Sequence, residues 1–105
     1  MPEYLIAYLG GDQPSSSEEG QKHFAKYQEW LASLGTALVS PMNPLKNTKT
    51  VNSDGSVSDG SATSMSGFTI LAAESMQEAL EKAKACPFLK LNGYLEVSEM
   101  VEMPE

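Results

Sequence analysis

The first half of the chain alternates between short apolar runs and one amphipathic segment. Residues 4–9, YLIAYL, predict a buried strand, which the glycines and aspartate at 10–12 end. A helix follows up to about Leu34, and its start is marked by one of two capping boxes, Ser15 with Glu18 or Ser16 with Glu19. Its apolar positions share one stripe: Phe24, Tyr27, Trp30, Leu31 and Leu34. The run ALVS at 37–40 predicts a short strand closed by prolines at 41 and 44.

The second half returns to strand, helix and strand after a polar insert. Residues 48–58 predict a small hairpin that turns at Asp54-Gly55, a favoured type I′ pair, and residues 59–66 predict a loop. The run GFTILAA at 67–73 predicts a strand that leads into a further capping box, Ser75 with Glu78. The second helix carries apolar residues at helical spacing and stops before Pro87: Met76, Ala79, Leu80 and Ala83. A last strand spans about 93–103.

This order of elements predicts an α+β fold, a ferredoxin-like βαββαβ arrangement with a β-hairpin insert. Its antiparallel sheet carries two helices on one face, which leaves the other face open to water and predicts strands that alternate apolar with polar residues. The first strand is instead apolar on both sides, with Tyr4, Ile6 and Tyr8 on one and Leu5, Ala7 and Leu9 on the other. Because monomers rarely expose so large an apolar patch, we expect the sheet of a second copy to cover it in a homodimer.

Composition narrows the class of protein. The length of 105 residues predicts one domain, 1–105. The net charge is −7 and all seven basic residues are lysines, which argues against a nucleic-acid partner and against a bidentate phosphate clamp. No apolar run reaches the roughly 20 residues of a membrane helix. The start lacks a signal-peptide pattern and the single cysteine excludes an internal disulfide, so we expect a cytoplasmic protein with no membrane partner.

Three segments, taken in order, carry a resemblance to a known family. They are HFAKYQEWLASLGTALVSPM at 23–42, DGSATSMSGFTILAAESMQEALEKAKACPF at 59–88 and GYLEVSEMVEM at 93–103. With these segments the chain resembles the YCII-related family, including its DGPF-type branch, over nearly its whole length. The resemblance implies a dimeric α+β barrel, in which two ferredoxin-like sheets close back to back.

The same resemblance bears on chemistry. Some members of the family look like enzymes that use a histidine on the first helix near an aspartate, and His23 occupies the matching position. The DGPF signature reads DGSA in this chain, so that only Asp59 and Gly60 match it. Cys86 stands where the YCII branch often has an acidic residue before the proline that follows the second helix.

Three side chains are candidates for proton chemistry. His23 is the only histidine and lies at the rim of the apolar stripe of the first helix; the alternative is a packed histidine with satisfied ring nitrogens. Asp59 is a candidate acidic partner; the alternative is that it is only the first residue of an Asp-Gly turn. If Leu95 and Val97 pack on the helices, Glu96 points into the barrel interior, where it is a site carboxylate or pairs at the dimer interface.

Other chemistries find little support. One histidine and one cysteine far apart give no metal-ligand spacing, so no metal is expected. Cys86 follows a helix C-terminus, whose dipole disfavours a thiolate, and is therefore expected to be a buried structural thiol. No cofactor is expected, because the glycine-rich stretches lack both G-x-G-x-x-G and a phosphate-loop lysine. Two hypotheses follow: a small cofactorless acid–base enzyme acting on a small organic molecule, or a non-catalytic dimeric module that binds a small ligand or a protein partner.

Overall fold

The computed structural model describes residues 1–12 and 16–102 and has the ferredoxin-like order of elements that the sequence predicts. The elements are β1 Glu3–Gly10, α1 Ser17–Leu34, β2 Leu38–Pro44, β3 Lys49–Val51, β4 Val57–Asp59, β5 Met65–Ala72, α2 Met76–Ala83 and β6 Gly93–Glu99. The main sheet has the strand order β2-β5-β1-β6, and each neighbouring pair is antiparallel. A short 3₁₀ helix, Pro87–Leu91, joins α2 to β6.

Both helices begin at a serine cap. The hydroxyl of Ser16 accepts from the backbone N–H of Glu19 at 3.1 Å, and that of Ser75 accepts from the N–H of Glu78 at 3.2 Å. These bonds satisfy donors that the first helical turn leaves without a partner. They confirm the second of the two predicted starts of α1; Ser15, the first residue of the other, lies outside the described residues.

The core forms between the helices and one face of the sheet. It contains buried side chains from both: Tyr4, Ile6, Tyr8 and Leu71 from the strands, and Tyr27, Trp30, Leu34, Ala79 and Ala83 from the helices. The indole N–H of Trp30 donates to the carbonyl of Lys82 at 3.0 Å, which ties α1 to α2. The apolar stripe predicted from the sequence includes Phe24, but this side chain is 50% exposed. It lies about 100° around the helix from His23, and the buried face passes through positions 27, 30 and 34 instead.

The opposite face of the sheet is also apolar. Leu5 pairs with Ile70, and Ala7 pairs with Phe68 on one side and Glu96 on the other. Leu5, Phe68 and Ile70 are only partly buried. Both helices lie on the other face, so neither helix covers these side chains, although Ala7 and Leu9 on the same face are buried.

Two local predictions need correction. Strand β2 does not close at Pro41 but continues to Pro44, with a register irregularity between Ser40 and Asn43. An edge strand tolerates prolines, because its outer N–H groups have no partner strand to lose. The last strand ends at Glu99 rather than near 103; Met103 itself lies outside the described residues.

The turn of the β3–β4 hairpin also differs from the prediction. A type I′ turn needs positive φ at both central residues, and here Gly55 has φ 89° whereas Asp54 has no positive φ. The hairpin closes through a longer loop, in which the N–H of Asn52 donates to the carbonyl of Ser56 at 2.7 Å. The Asp54 carboxylate accepts from the backbone N–H of Ser56 at 2.9 Å, so it acts as a local turn device.

Among the described elements, no helix has both the length and the apolar character needed to cross a membrane.

Candidate functional site

A cavity of about 200 Å³ lies where the ends of β1 and β2, the start of β5, helix α1 and the 3₁₀ helix meet. Its walls are mainly apolar and aromatic: Tyr8, Tyr27, Met42, Pro44, Phe88 and Leu91. Its polar groups come from Asp12, His23 and Ser66. The cavity is therefore a small apolar space with few polar groups, which is the usual character of a small-molecule site.

A glycine lets the strands close around this cavity. A Cβ added at Gly67 would lie 2.9 Å from the carbonyl oxygen of Asn43 and 3.4 Å from Cδ2 of Tyr8. Any larger residue would push β2 or the Tyr8 ring away from β5. Gly67 thus sets the width of the cavity on the sheet side.

Phe88 forms a second wall, seated between two glycines. A Cβ at Gly11 would lie 2.7 Å from Cζ of Phe88, and one at Gly93 would lie 2.2 Å from its Cε2. The Phe88 ring also packs on Tyr8, with centroids 5.3 Å apart. Contacts on three sides therefore fix the ring, although its two glycine neighbours are far apart in the sequence.

His23 lines the cavity from α1, and its ring meets that of Tyr27 edge-on with centroids 4.8 Å apart. The residue is half-buried, yet its Nε2 is buried and has no hydrogen-bond partner within the described ranges. Burial, and then the charge of Lys26, lower the pKa of His23 below 6.5. The imidazole is therefore neutral at pH 7. A buried polar atom without a partner is rare, and this one belongs to a residue that lines a cavity.

The tyrosine hydroxyls of the cavity are engaged elsewhere. The Tyr8 hydroxyl is hydrogen-bonded to the buried hydroxyl of Thr69, which in turn donates to the carbonyl of Pro41 at 2.6 Å. Burial raises the pKa of Tyr8 and that of Tyr27, whose hydroxyl interacts with the side chain of Cys86. Neither phenol is therefore suited to lose a proton near neutral pH, and both act as walls.

Cys86 is a buried thiol, as its position after α2 predicts. It is 2% exposed, and burial raises the pKa of the thiol to about 11. The reactive form of cysteine is the thiolate, so this side chain is inert near neutral pH.

Asp12 is the carboxylate-bearing residue among those that line the cavity, and it is exposed to solvent. Its backbone N–H donates to the carbonyl of Leu91 at 2.6 Å, and its Oδ2 accepts from Nδ2 of Asn92 at 2.6 Å. In the sequence Asp12 is only the end of a strand. The signal that it offers there, a carboxylate directly after a buried strand, is weak without knowledge of what packs beside it.

The other two predicted site residues lie away from the cavity. Asp59 is on β4, has a side chain that is 91% exposed, and pairs with Lys49 at 2.5 Å. Glu96 is exposed on β6 opposite Ala7, while Leu95 and Val97 turn toward the core, as the alternation predicts. Of the three candidates, the described structure places His23 alone at the cavity. Residues 1–12 and 16–102 hold no cluster of three or more side chains suited to bind a metal.

Comparison with known proteins establishes the family. The model of the YCII-related domain matches residues 4–104, so the chain belongs to the YCII-related family. A solved structure of 5-chloro-2-hydroxyhydroquinone dehydrochlorinase from Burkholderia phenoliruptrix, in complex with 2,5-dihydroxybenzoquinone, is similar with a TM-score of 0.59. The two share 20% identity over 96% of this chain and 95% of that one, a likeness that supports the fold. No curated protein matches the chain.

Proposed function

We propose that this protein is a small cofactorless acid–base enzyme that acts on a small ring-shaped organic molecule, with His23 as its general base. The observation that carries the proposal is the buried, unpartnered Nε2 of His23 at the wall of the cavity. A neutral imidazole whose lone pair has no partner can accept a proton from a bound molecule once that molecule reaches it, and histidine is the side chain best matched to that task near pH 7.

The size and lining of the cavity support a ring as the ligand. A cavity of about 150 Å³ lined by apolar side chains holds benzene, and the cavity here is about 200 Å³. Aromatic rings prefer to pack edge-to-face or offset against other rings, and Tyr8, Tyr27 and Phe88 offer such surfaces. The related structure is named for a dehydrochlorinase and holds a quinone, which is compatible with a planar ring here.

The chemistry that we propose is proton transfer within the bound ring. Nε2 of His23 takes a proton from the ring or its hydroxyl while Nδ1 carries the imidazole proton. The imidazolium then returns the proton to another atom of the same molecule, which is an isomerisation, or to a leaving group, which is an elimination. Asp12 lines the same cavity, and we assign to it the acceptance of a hydrogen bond from the bound molecule. Asp59 and Glu96 stay predictions from the sequence.

We further propose that the protein works as a homodimer joined through the open sheet face. Leu5, Phe68 and Ile70 on that face are partly exposed, and Tyr94 is 56% exposed. Burial of this surface by a second copy would remove apolar area from water without new secondary structure.

The test of the catalytic proposal compares two variants of the same helix. His23→Gln keeps polarity but cannot shuttle protons, whereas Lys22→Gln changes the adjacent exposed position. A thermal-shift screen of small planar rings against the wild-type protein first identifies ligands, and each ligand is then assayed for turnover. We expect His23→Gln to lower turnover by about 10²–10⁴-fold and Lys22→Gln to leave it unchanged. Full turnover in His23→Gln contradicts the proposal, and ligands that bind at His23 without any turnover favour the binding-module hypothesis.

A further inference from the structure

Two loops that are distant in the sequence are joined at the cavity. Asp12 and Asn92 are 80 residues apart, yet the Asn92 side chain donates to the Asp12 carboxylate and the Asp12 N–H donates to Leu91, both at 2.6 Å. Phe88 packs against Gly11 and Gly93, the neighbours of these two residues. The loop 10–12 and the segment 88–93 therefore form one unit around the wall of the cavity.

Asparagine tolerates the left-handed backbone conformation of Asn92 better than most residues do. This tolerance does not explain why its side chain is bonded to Asp12. Its φ of 62° ends the 3₁₀ helix in the left-handed region, where glycine is at least as suitable. Glycine would however offer no side-chain donor. The amide of Asn92 instead reaches Oδ2 of Asp12, and a carboxylate with one such bond keeps further acceptor positions.

The hydrogen bond between Asn92 and Asp12 bears on ligand binding because Asp12 carries a charge. Asp12, which is exposed to solvent, is the one residue with a carboxylate among those that line the cavity in the described part of the chain. Lysine and arginine do not contribute to that lining. A ligand that carries a carboxylate or phosphate would meet Asp12 without a compensating cation in the wall, whereas a ligand with an O–H or N–H donor would bond to it.

We propose that Asn92 is a positioning residue, which holds the Asp12 carboxylate at the cavity so that it accepts a hydrogen bond from an uncharged, donor-bearing ligand and disfavours an anionic one. The proposal deepens, and rests on, the assignment of the ring-binding site to the cavity at His23. It does not require His23 to catalyse a reaction.

The experiment measures binding of ring probes by calorimetry to the full chain and its variants. The three dihydroxybenzene isomers vary the spacing of two donors, 1,4-dimethoxybenzene removes the donors, and 4-hydroxybenzoate adds an anion. We expect the best dihydroxybenzene to bind wild type about tenfold or more tightly than the other two probes, because each lacks a donor or adds a repelled charge. The inference is overturned if the wild-type protein binds 4-hydroxybenzoate as tightly as it binds the best dihydroxybenzene. It is also overturned if none of the three dihydroxybenzenes binds.

The variants separate the side chain of Asn92 from its backbone. Asn92→Gly keeps the left-handed conformation and removes the donor, and Asn47→Gly is the matched control, since Asn47 has φ 56° in an exposed loop away from the cavity. We expect Asn92→Gly to lose about tenfold in affinity for the dihydroxybenzene and much of its preference over 4-hydroxybenzoate, while both variants melt close to wild type. Asp12→Asn should lose a similar factor, and the double variant no more than either single one.

Two results in these variants overturn the inference. The first is that Asn92→Gly keeps the wild-type preference for the dihydroxybenzene over 4-hydroxybenzoate. The second is that Asn92→Gly lowers the affinity as much in the Asp12→Asn protein as it does in wild type. Failure of the catalytic proposal looks different. Binding that depends on Asp12 and Asn92 without turnover leaves the positioning role intact and contradicts catalysis by His23. Turnover that depends on His23 but not on Asn92 does the reverse.

Discussion

The hydroxyl of Tyr8 is hydrogen-bonded to that of Thr69, so a ring that lines the cavity is anchored in the core behind it. Thr69 is fully buried and its own proton goes to the carbonyl of Pro41. The Tyr8 hydroxyl is therefore the donor of the pair. This short chain of bonds joins β1, β5 and the irregular part of β2, and it holds the sheet side of the cavity in place.

Removal of the Thr69 hydroxyl should destabilise the protein. Thr69→Val keeps the shape of the side chain but leaves the Tyr8 hydroxyl and the Pro41 carbonyl without their partner, which typically costs about 1–3 kcal/mol. Thr69→Ser keeps the hydroxyl and is the control, with a smaller loss from the missing methyl group. Urea unfolding measures both. Equal stabilities for the two variants would mean that the hydroxyl contributes nothing.

A methyl group at Gly93 should displace Phe88 from the cavity wall. The added Cβ would lie 2.2 Å from the ring, and overpacking of this kind typically costs about 1–3 kcal/mol of unfolding free energy. In Gly93→Ala with Phe88→Leu the smaller side chain makes room, so the double variant should be more stable than the sum of the two single losses predicts. Simple additivity in a double-mutant cycle would show that the contact does not limit packing.

The pH dependence of stability should report the environment of His23. Its pKa is lowered from 6.5, first by burial and then by Lys26, so the unfolded chain binds a proton before the folded chain does as the pH falls. The contribution of His23 to the free energy of unfolding is therefore fully present above about pH 6.5. It is lost as the pH falls toward the lower pKa of the folded state.

Unfolding free energies of wild type and His23→Gln, measured between pH 8 and pH 5, check this. Wild type should lose stability relative to the variant only below about pH 6.5. A difference that is constant across this range, or one that grows in favour of wild type in acid, would contradict the burial of a neutral imidazole.

The protein should be a dimer in solution. The reason is the partly exposed apolar face of the sheet, and a stable interface on such a face typically covers about 800 Å² per partner. Light scattering at micromolar concentration should therefore give about twice the chain mass of 11.3 kDa. Ile70→Lys on the open sheet face should shift the mass toward the monomer. Leu80→Lys, a change at a position of α2 that is already 42% exposed, is the control and should not. A wild-type monomer would refute the dimer.

The order of the elements and the helix starts are determined by residues close together in the sequence. Ser16 with Glu19 and Ser75 with Glu78 form caps within one turn, and the period of the apolar residues separates strands from helices. The apolar character of both faces of β1 is visible in the same way. These features follow one another in a fixed order along the chain, and that order makes the family recognisable.

Which residues come together at the site depends on contacts between distant parts of the chain, and no local sequence pattern predicts these contacts. His23 stands out because it is the only histidine, but the carboxylate at its cavity, Asp12, is brought there by a loop that Asn92 and Leu91 hold from the far end of the chain. Asp59, which the sequence offers as a partner, pairs with Lys49 on the hairpin instead. Capping and periodicity act over three or four residues, whereas strand register and loop packing join residues tens of positions apart. Only the tertiary structure therefore decides which carboxylate shares a cavity with the histidine.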